Sequence, residues 1–238
     1  MRTYILNSPV FKNRYSYILD GVNEYLNTNK VFPFERNVSF SFTFFIKVSN
    51  NFNMIYQNML SDTTDPGVMV YIEARGIRFV LQKSSVVRIS ITTPTFVLTT
   101  GWNYVTINYN GDSNANNCSI YLNGANQSFT VASNTLTLNT VSATNGFIGR
   151  FNNGSGYSGI TLNQFILKSG LVTLAEHTSM YNNGKPKNPR KFFTPQLLYL
   201  FNDDSFDGTN WIVRDKYEAT LGASVNMEEA DRLINSPY

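Results

Sequence analysis

Cysteine is almost missing from this 238-residue chain. The single Cys118 excludes an internal disulfide, and nothing in cysteine usage marks an oxidising compartment. In a strand-like run it reads as a small buried hydrophobe rather than a nucleophile. Histidine is equally scarce. His177 is the only one, so zinc, which needs several His or Cys ligands, has no ligand set, and a nucleophile triad has little to build on. Charged residues make up only 15%, and a net charge of +3 without a clustered basic face leaves no nucleic-acid footprint. No apolar run approaches the length of a membrane span, so membrane insertion is not expected. The opening "MRTYILNSPVFKNRYSY" has no apolar stretch of the signal-peptide kind. Glycosylation triplets such as Asn37-Val38-Ser39 and Asn153-Gly154-Ser155 are expected by chance in so asparagine-rich a chain.

What is plentiful points to β-structure. Hydrophobic residues reach 42% and aromatics 14%, enough for one large all-β core. Each large side chain buried contributes roughly 1.5–3 kcal/mol against the ordering entropy. Asn, Thr and Ser carry the polar load, and alanine is sparse.

Residues 100–124, "TGWNYVTINYNGDSNANNCSIYLNG", form a hairpin by their alternation. Val105, Ile107 and Tyr109 share one face; Trp102, Tyr104 and Thr106 share the other. Cys118, Ile120 and Leu122 repeat the pattern, and Asn123-Gly124 offers the positive-φ turn that tight hairpins favour. In "NVSFSFTFFIKVS", Val38, Phe40, Phe42 and Phe44 fall on one face and Ser39, Ser41 and Thr43 on the other. About a dozen such short runs, separated by turn signals, predict a sandwich or barrel. One helix interrupts them. Thr173-Leu-Ala-Glu176 is a capping box, and Asn183-Gly184 is a typical stop, so a short helix is predicted over 173–184. His177 falls within it and reads as a surface or half-buried residue. The "KPKNPRK" segment reads as a solvated extended connector, with an anion-binding patch as the alternative. "NDDSFDGTNWIV" predicts strands around a turn, and "MEEADRL" a helical turn. The division expected is a sandwich over 1–184 and an extension over 185–238 that docks on it.

The order of these motifs resembles laminin G-like domains of the concanavalin A-like lectin/glucanase superfamily. "LDGVNEYL" before "SFSFTFFIKV", then "GWNYVTINYNG…SIYLNGANQ", then "FIGRFNNGSGYSGITLNQFILKSGLVTLAEHTSMYNNGK" carry the likeness, in order from about residue 17 to 185. It implies an all-β jelly-roll sandwich of two antiparallel sheets, one of them curved. The hairpin is then scaffold, with Trp102 in or near the core. That fold serves sugar binding, protein binding and glycoside hydrolysis alike. The asparagine-rich character and the extension also resemble virion proteins of tailed bacteriophages. This likeness implies synthesis in a host cytoplasm, placement on the particle, and other virion proteins or further copies of itself as partners.

Hydrolases of the superfamily deliver their carboxylates in Glu-x-Asp-x-Glu spacing, and no such segment exists here. Glu24 and Glu73 stand alone, and Glu228, Glu229 and Asp231 are misspaced. A glycoside hydrolase is therefore disfavoured, and no enzymatic activity is expected. A lectin that uses calcium is the alternative to a structural or attachment module. Calcium wants clustered oxygens, which "SDTTDPG" offers through Asp62 and Asp65, and "NDDSFDG" through Asp203, Asp204 and Asp207. Such turns are also common without metal. For a glycan, the stacking candidates are Tyr157, Phe206 and Trp211.

Overall fold

The computed structural model describes residues 15–48, 51–151, 154, 156–192, 197–199, 204–214 and 221–233. Among these residues the chain forms a jelly-roll sandwich of two antiparallel sheets and one α-helix. With strands numbered in chain order, the first sheet runs β10 (Ala125–Gln127), β9 (Ser119–Leu122), β8 (Asn103–Tyr109), β3 (Phe40–Val48), β13 (Gly159–Ser169), β1 (Ser16–Asp20) and β18 (Arg232–Leu233). Alongside β13 also lies β14 (Leu197–Tyr199). The second sheet runs β11 (Thr130–Asn134), β7 (Val87–Thr92), β6 (Gly76–Ser84), β5 (Gly67–Glu73), β4 (Phe52–Gln57), β12 (Phe147–Ile148), β2 (Tyr25–Asn27), β17 (Leu221–Val225), β16 (Trp211–Arg214) and β15 (Ser205–Phe206).

Period-2 alternation fills the space between the sheets. Phe40, Phe42 and Phe44 of β3 and Val105, Ile107 and Tyr109 of β8 meet Val70, Ile72, Ile77, Phe79, Leu81, Ile89 and Ile91 of the other sheet in one continuous core. Val38 does not join them: β3 begins at Phe40, and Val38 is exposed. Asn123 and Gly124 take φ of 51° and 88°, the left-handed pair that the β9–β10 turn requires.

The outer face of the first sheet is covered. Helix α1 (Leu174–Tyr181) carries the predicted capping box: Glu176 N donates to the Thr173 hydroxyl at 3.2 Å, and Thr173 N to the Glu176 carboxylate at 2.7 Å. It presses Met180 onto Phe45, Tyr104 and Ile166, with Trp102, Tyr181 and Phe192 around them. Thus the alternate face of β8, which carries Tyr104, joins a second small core with Trp102 packed against it. The connector after α1 is anchored rather than freely solvated. Pro186 and Pro189 are buried, and the Gln164 amide donates to Lys187 O at 3.2 Å.

Residues beyond the connector extend both sheets. Strand β17 pairs with β2, with Ala223 opposite Asn27, and β18 pairs with β1, with Arg232 opposite Tyr17. The turn predicted in "MEEADRL" is a single 3-10 turn at Glu229–Asp231.

Candidate functional site

With one sheet covered outside and both packed inside, the outer face of the second sheet remains, its centre buried at Met54, Gln57, Met69, Val80 and Gln82 and its surroundings part-exposed. Register dictates what stands on it. Tyr71 of β5 lies opposite Met54 of β4 and Arg78 of β6; Met69 lies opposite Gln57 and Val80; Gln82 lies opposite Arg88 of β7. A bulge in β4 lets Ile55 and Tyr56 both enter the core, and brings Gln57 back to the outside.

The centre of the face is apolar. Met54, Met59, Met69 and Val80 form a cluster with Tyr71 and Phe151 packed against it. Residues 58–66 cross one side of this cluster. Gln82 Nε2 donates to the backbone oxygens of Asp62 at 2.9 Å and Asp65 at 3.1 Å, and Ser85 N to Thr63 O at 2.9 Å. On the other side a turn closed by the Arg150–Tyr157 bridge lays Phe151 on Phe52, with rings stacked at 5.5 Å and 11°. Next to it, the Arg150 guanidinium lies 4.2 Å from the ring centres of both Tyr25 and Phe147, and Tyr157 packs on Tyr25 at 6.2 Å.

Charge on the face is of both signs. Arg78 pairs with Glu73 at 3.4 Å and lies 5.5 Å from the Tyr71 ring centre. Burial is the main cause holding the Tyr71 phenol above its ordinary value, with Arg78 working against it. Gln57, Gln82, Arg88 and Arg150 each keep a buried polar atom with no hydrogen-bond partner. Buried polar groups in folded proteins are nearly always satisfied, so this concentration on one face calls for a ligand or ordered water. Aromatic edges beside amides and guanidinia are what a polyhydroxylated ring binds.

The sequence candidates divide between places. Tyr157 belongs to this face. Phe206 and Trp211 do not: they pack on each other at 5.4 Å on the core side of β15 and β16. Trp211 is only 6% exposed; Tyr17 lies 5.6 Å from its ring, the Arg232 guanidinium 4.9 Å, and its indole N–H donates to Glu228 O at 3.0 Å. A sugar needs a free ring face, and Trp211 has none, so its candidacy is corrected. The strand alternation placed it inside.

Two of the calcium candidates have carboxylates engaged within the protein. Asp204 is buried, taking the Tyr17 hydroxyl and Arg214 N, each at 3.0 Å. Asp207 caps its own turn through Thr209 N at 2.9 Å and Asn210 N at 2.8 Å, which holds its carboxyl below the usual range. Asp203 lies outside the described residues. Asp62 and Asp65 face Gln82 with their backbone oxygens. Among the described residues no three His, Cys, Asp or Glu side chains come together to hold a metal ion.

Two other readings change, and that of Cys118 holds. His177 is fully buried rather than half-exposed, with its ring nitrogens engaged by Thr106 and Gly124. Glu24 does not stand alone: it is buried, takes Asp20 N at 2.6 Å and is hydrogen-bonded to Asp231. Desolvation, with the two aspartates, pushes its carboxyl up to about 8. Carboxyls in direct contact leave no room for a sugar between them, unlike a hydrolase pair. Cys118 is buried with its thiol pushed up to about 12 by desolvation, which makes it inert.

Sequence comparison agrees with this architecture. The signature of the Clostridium neurotoxin N-terminal receptor-binding family matches residues 2–167, more than half of the chain. The chain belongs to this family. No curated protein matches it in sequence. Among solved structures, a candidate carbohydrate-binding protein from Bacteroides ovatus superposes with a TM-score of 0.63 at 15% identity, over 90% of this chain and 58% of that one. The binding domain of botulinum neurotoxin serotype G gives 0.50 at 15% identity, over 71% and 46%. A sialidase CBM40 from Ruminococcus gnavus, bound to α2,3-sialyllactose, gives 0.51 at 11% identity, over 71% and 98%. The chain therefore spans 58% and 46% of the length of the first two. At these identities the shared feature is the fold, which agrees with the concanavalin A-like architecture implied by the sequence motifs. The family membership is the finer assignment.

The residues that sequence reasoning missed are Tyr25, Gln57, Tyr71, Gln82, Arg88, Phe147 and Arg150. Their signal was phase: Tyr71, Arg78, Gln82 and Arg88 occupy one alternation phase of three successive strands. Periodicity shows that phase without saying which face stays open.

Proposed function

We propose that this chain is a non-enzymatic recognition module that binds glycan on the outer face of its ten-stranded sheet. The observation that carries the reading is the gathering on that one face of aromatic rings (Tyr25, Phe52, Tyr71, Phe147, Phe151, Tyr157) with partnerless polar atoms of Gln57, Gln82, Arg88 and Arg150. Supporting it, one structure of like fold is a candidate carbohydrate-binding protein and another holds a sialylated sugar. The family itself is described by receptor binding.

The test is a glycan array of the purified chain, repeated with Tyr71→Ala and Arg150→Ala. Selective binding that both variants weaken supports the reading. A blank array, or binding indifferent to both variants while Trp211→Phe weakens it, overturns it. A second reading sets the module on a phage particle, docked to virion neighbours or its own copies. It is supported by the asparagine-rich, charge-poor composition, and co-purification with assembled particles tests it.

A further inference from the structure

We propose that the sugar this face takes is acidic, and that Arg88 holds its carboxylate. The inference rests on the glycan reading above and names the ligand class of the same site.

Arg88 and Gln82 stand directly opposite each other across β7 and β6. Gln82 Nε2 is committed to two backbone oxygens, which sets the amide's orientation, and its Oε1 is left as a buried acceptor with nothing donating to it. Arg88 Nε is a buried donor without an acceptor, and among the described residues its guanidinium makes no hydrogen bond or ion pair. The neighbouring Arg78 is the contrast. It is held by Glu73 at 3.4 Å, by the Ser90 hydroxyl at 3.4 Å and by the Tyr71 ring. So one cation is neutralised within the protein and the adjacent one is not.

Arg88 is part-exposed and has no counter-ion among the described residues, and its planar fork matches a carboxylate. The part-exposed guanidinium matches a ligand that presents a carboxylate. Sialic and uronic acids both do so. Glu73 and Asp62 also bear on Tyr71 electrostatically, so the local field suits a monoanion better than a phosphate dianion.

Calorimetric titration of the full chain with 3′-sialyllactose, digalacturonate, 3′-sulfolactose and lactose tests this. The result expected is that sialyllactose or digalacturonate binds at least about tenfold tighter than lactose. Which of the two binds identifies the acid. Arg88→Gln then removes the preference, bringing the affinity for the acidic sugar down to that for lactose. Arg88→Lys retains charge but loses the fork, and falls between. Arg75→Gln, at the β5–β6 turn and stacked on Phe96, leaves all affinities unchanged.

Equal binding of acidic and neutral sugars overturns the inference and leaves the glycan reading standing, as does a preference that survives in Arg88→Gln. Tighter binding of the sulfated sugar than of either carboxylate overturns the assignment to carboxylates. Should no sugar of either class bind, here or on the array, the glycan reading fails and this inference with it. The comparison of sugars on the unaltered chain tests the acidic class, and Arg88→Lys tests the role of Arg88, even if Arg88→Gln folds poorly.

Discussion

His177 Nδ1 stands 2.8 Å from the Thr106 hydroxyl, joining α1 to the middle of β8. The other ring nitrogen accepts Gly124 N at 3.1 Å, so the imidazole is neutral, with its proton on Nδ1 donated to Thr106. Tyr104 stacks on the ring at 4.7 Å. This one histidine ties the helix, a central strand and the β9–β10 turn together.

Acid should therefore loosen the fold through His177. Burial lowers its pKa from 6.5 to about 4. The unfolded chain binds a proton in that interval and the folded chain does not, so stability falls as pH drops from 6.5 towards 4. Urea unfolding across this range should show a decline that His177→Gln reduces. At pH 7 that substitution should cost about 1–3 kcal/mol through disturbed buried hydrogen bonds.

Glu24 predicts a slope of the other sign. Desolvation first, then Asp231 and Asp20, raise its pKa from 4.5 to about 8. The folded chain then holds a proton that the unfolded chain has lost, so this contribution is whole below 4.5 and is lost as pH rises to 8. Between 6.5 and 8 the Glu24 slope should be seen without that of His177. Melting temperature should fall over that window, and Glu24→Gln should flatten the fall. An unchanged slope in Glu24→Gln would mean that no protonated clamp joins the β1–β2 turn to Asp231.

Trp211 should matter for stability and not for ligand. Its ring fills the core among Tyr17, Phe206 and Arg232. Trp211→Ala should cost about 3–5 kcal/mol. Trp211→Phe should cost less and leave sugar binding intact. Denaturation midpoints paired with titrations separate the two effects.

Gly111 closes the β8 end of the long hairpin with φ of +84°, and an added Cβ would sit 2.7 Å from Ser39 N. Backbone cannot step aside as a side-chain tip can. Gly111→Ala should thus combine left-handed strain, about 1 kcal/mol, with a steric cost of similar size. A drop in melting temperature of several degrees is the outcome to look for.

Much of the fold is legible in the order of residues. Alternation in 40–48 and 103–109 marks strands, because successive side chains of a strand point to opposite faces. Thr173 with Glu176, and Asn123 with Gly124, announce a helix start and a turn through backbone chemistry confined to a few residues. Tyr157 stands out as an aromatic in a glycine-rich loop, and it does reach the candidate face. The rest of that face is hidden from such reading. Both phases of β8 are buried, so alternation there cannot name the core side. Trp211 and Asp204 look like site residues in a loop-rich stretch, yet both point inward.

The amino-acid sequence by itself determined the local facts: strand phases, the capped helix, the turn, and the lack of a spaced carboxylate motif. These depend on neighbours a few positions apart. Tertiary structure alone decided which phase faces outward, that Arg88 lies against Gln82, that Arg150 is wedged between Tyr25 and Phe147, and that Glu24 meets Asp231. Arg150 and Tyr25, like Glu24 and Asp231, stand far apart along the chain. Their contact follows from the packing of whole sheets, to which no short stretch of sequence holds the key.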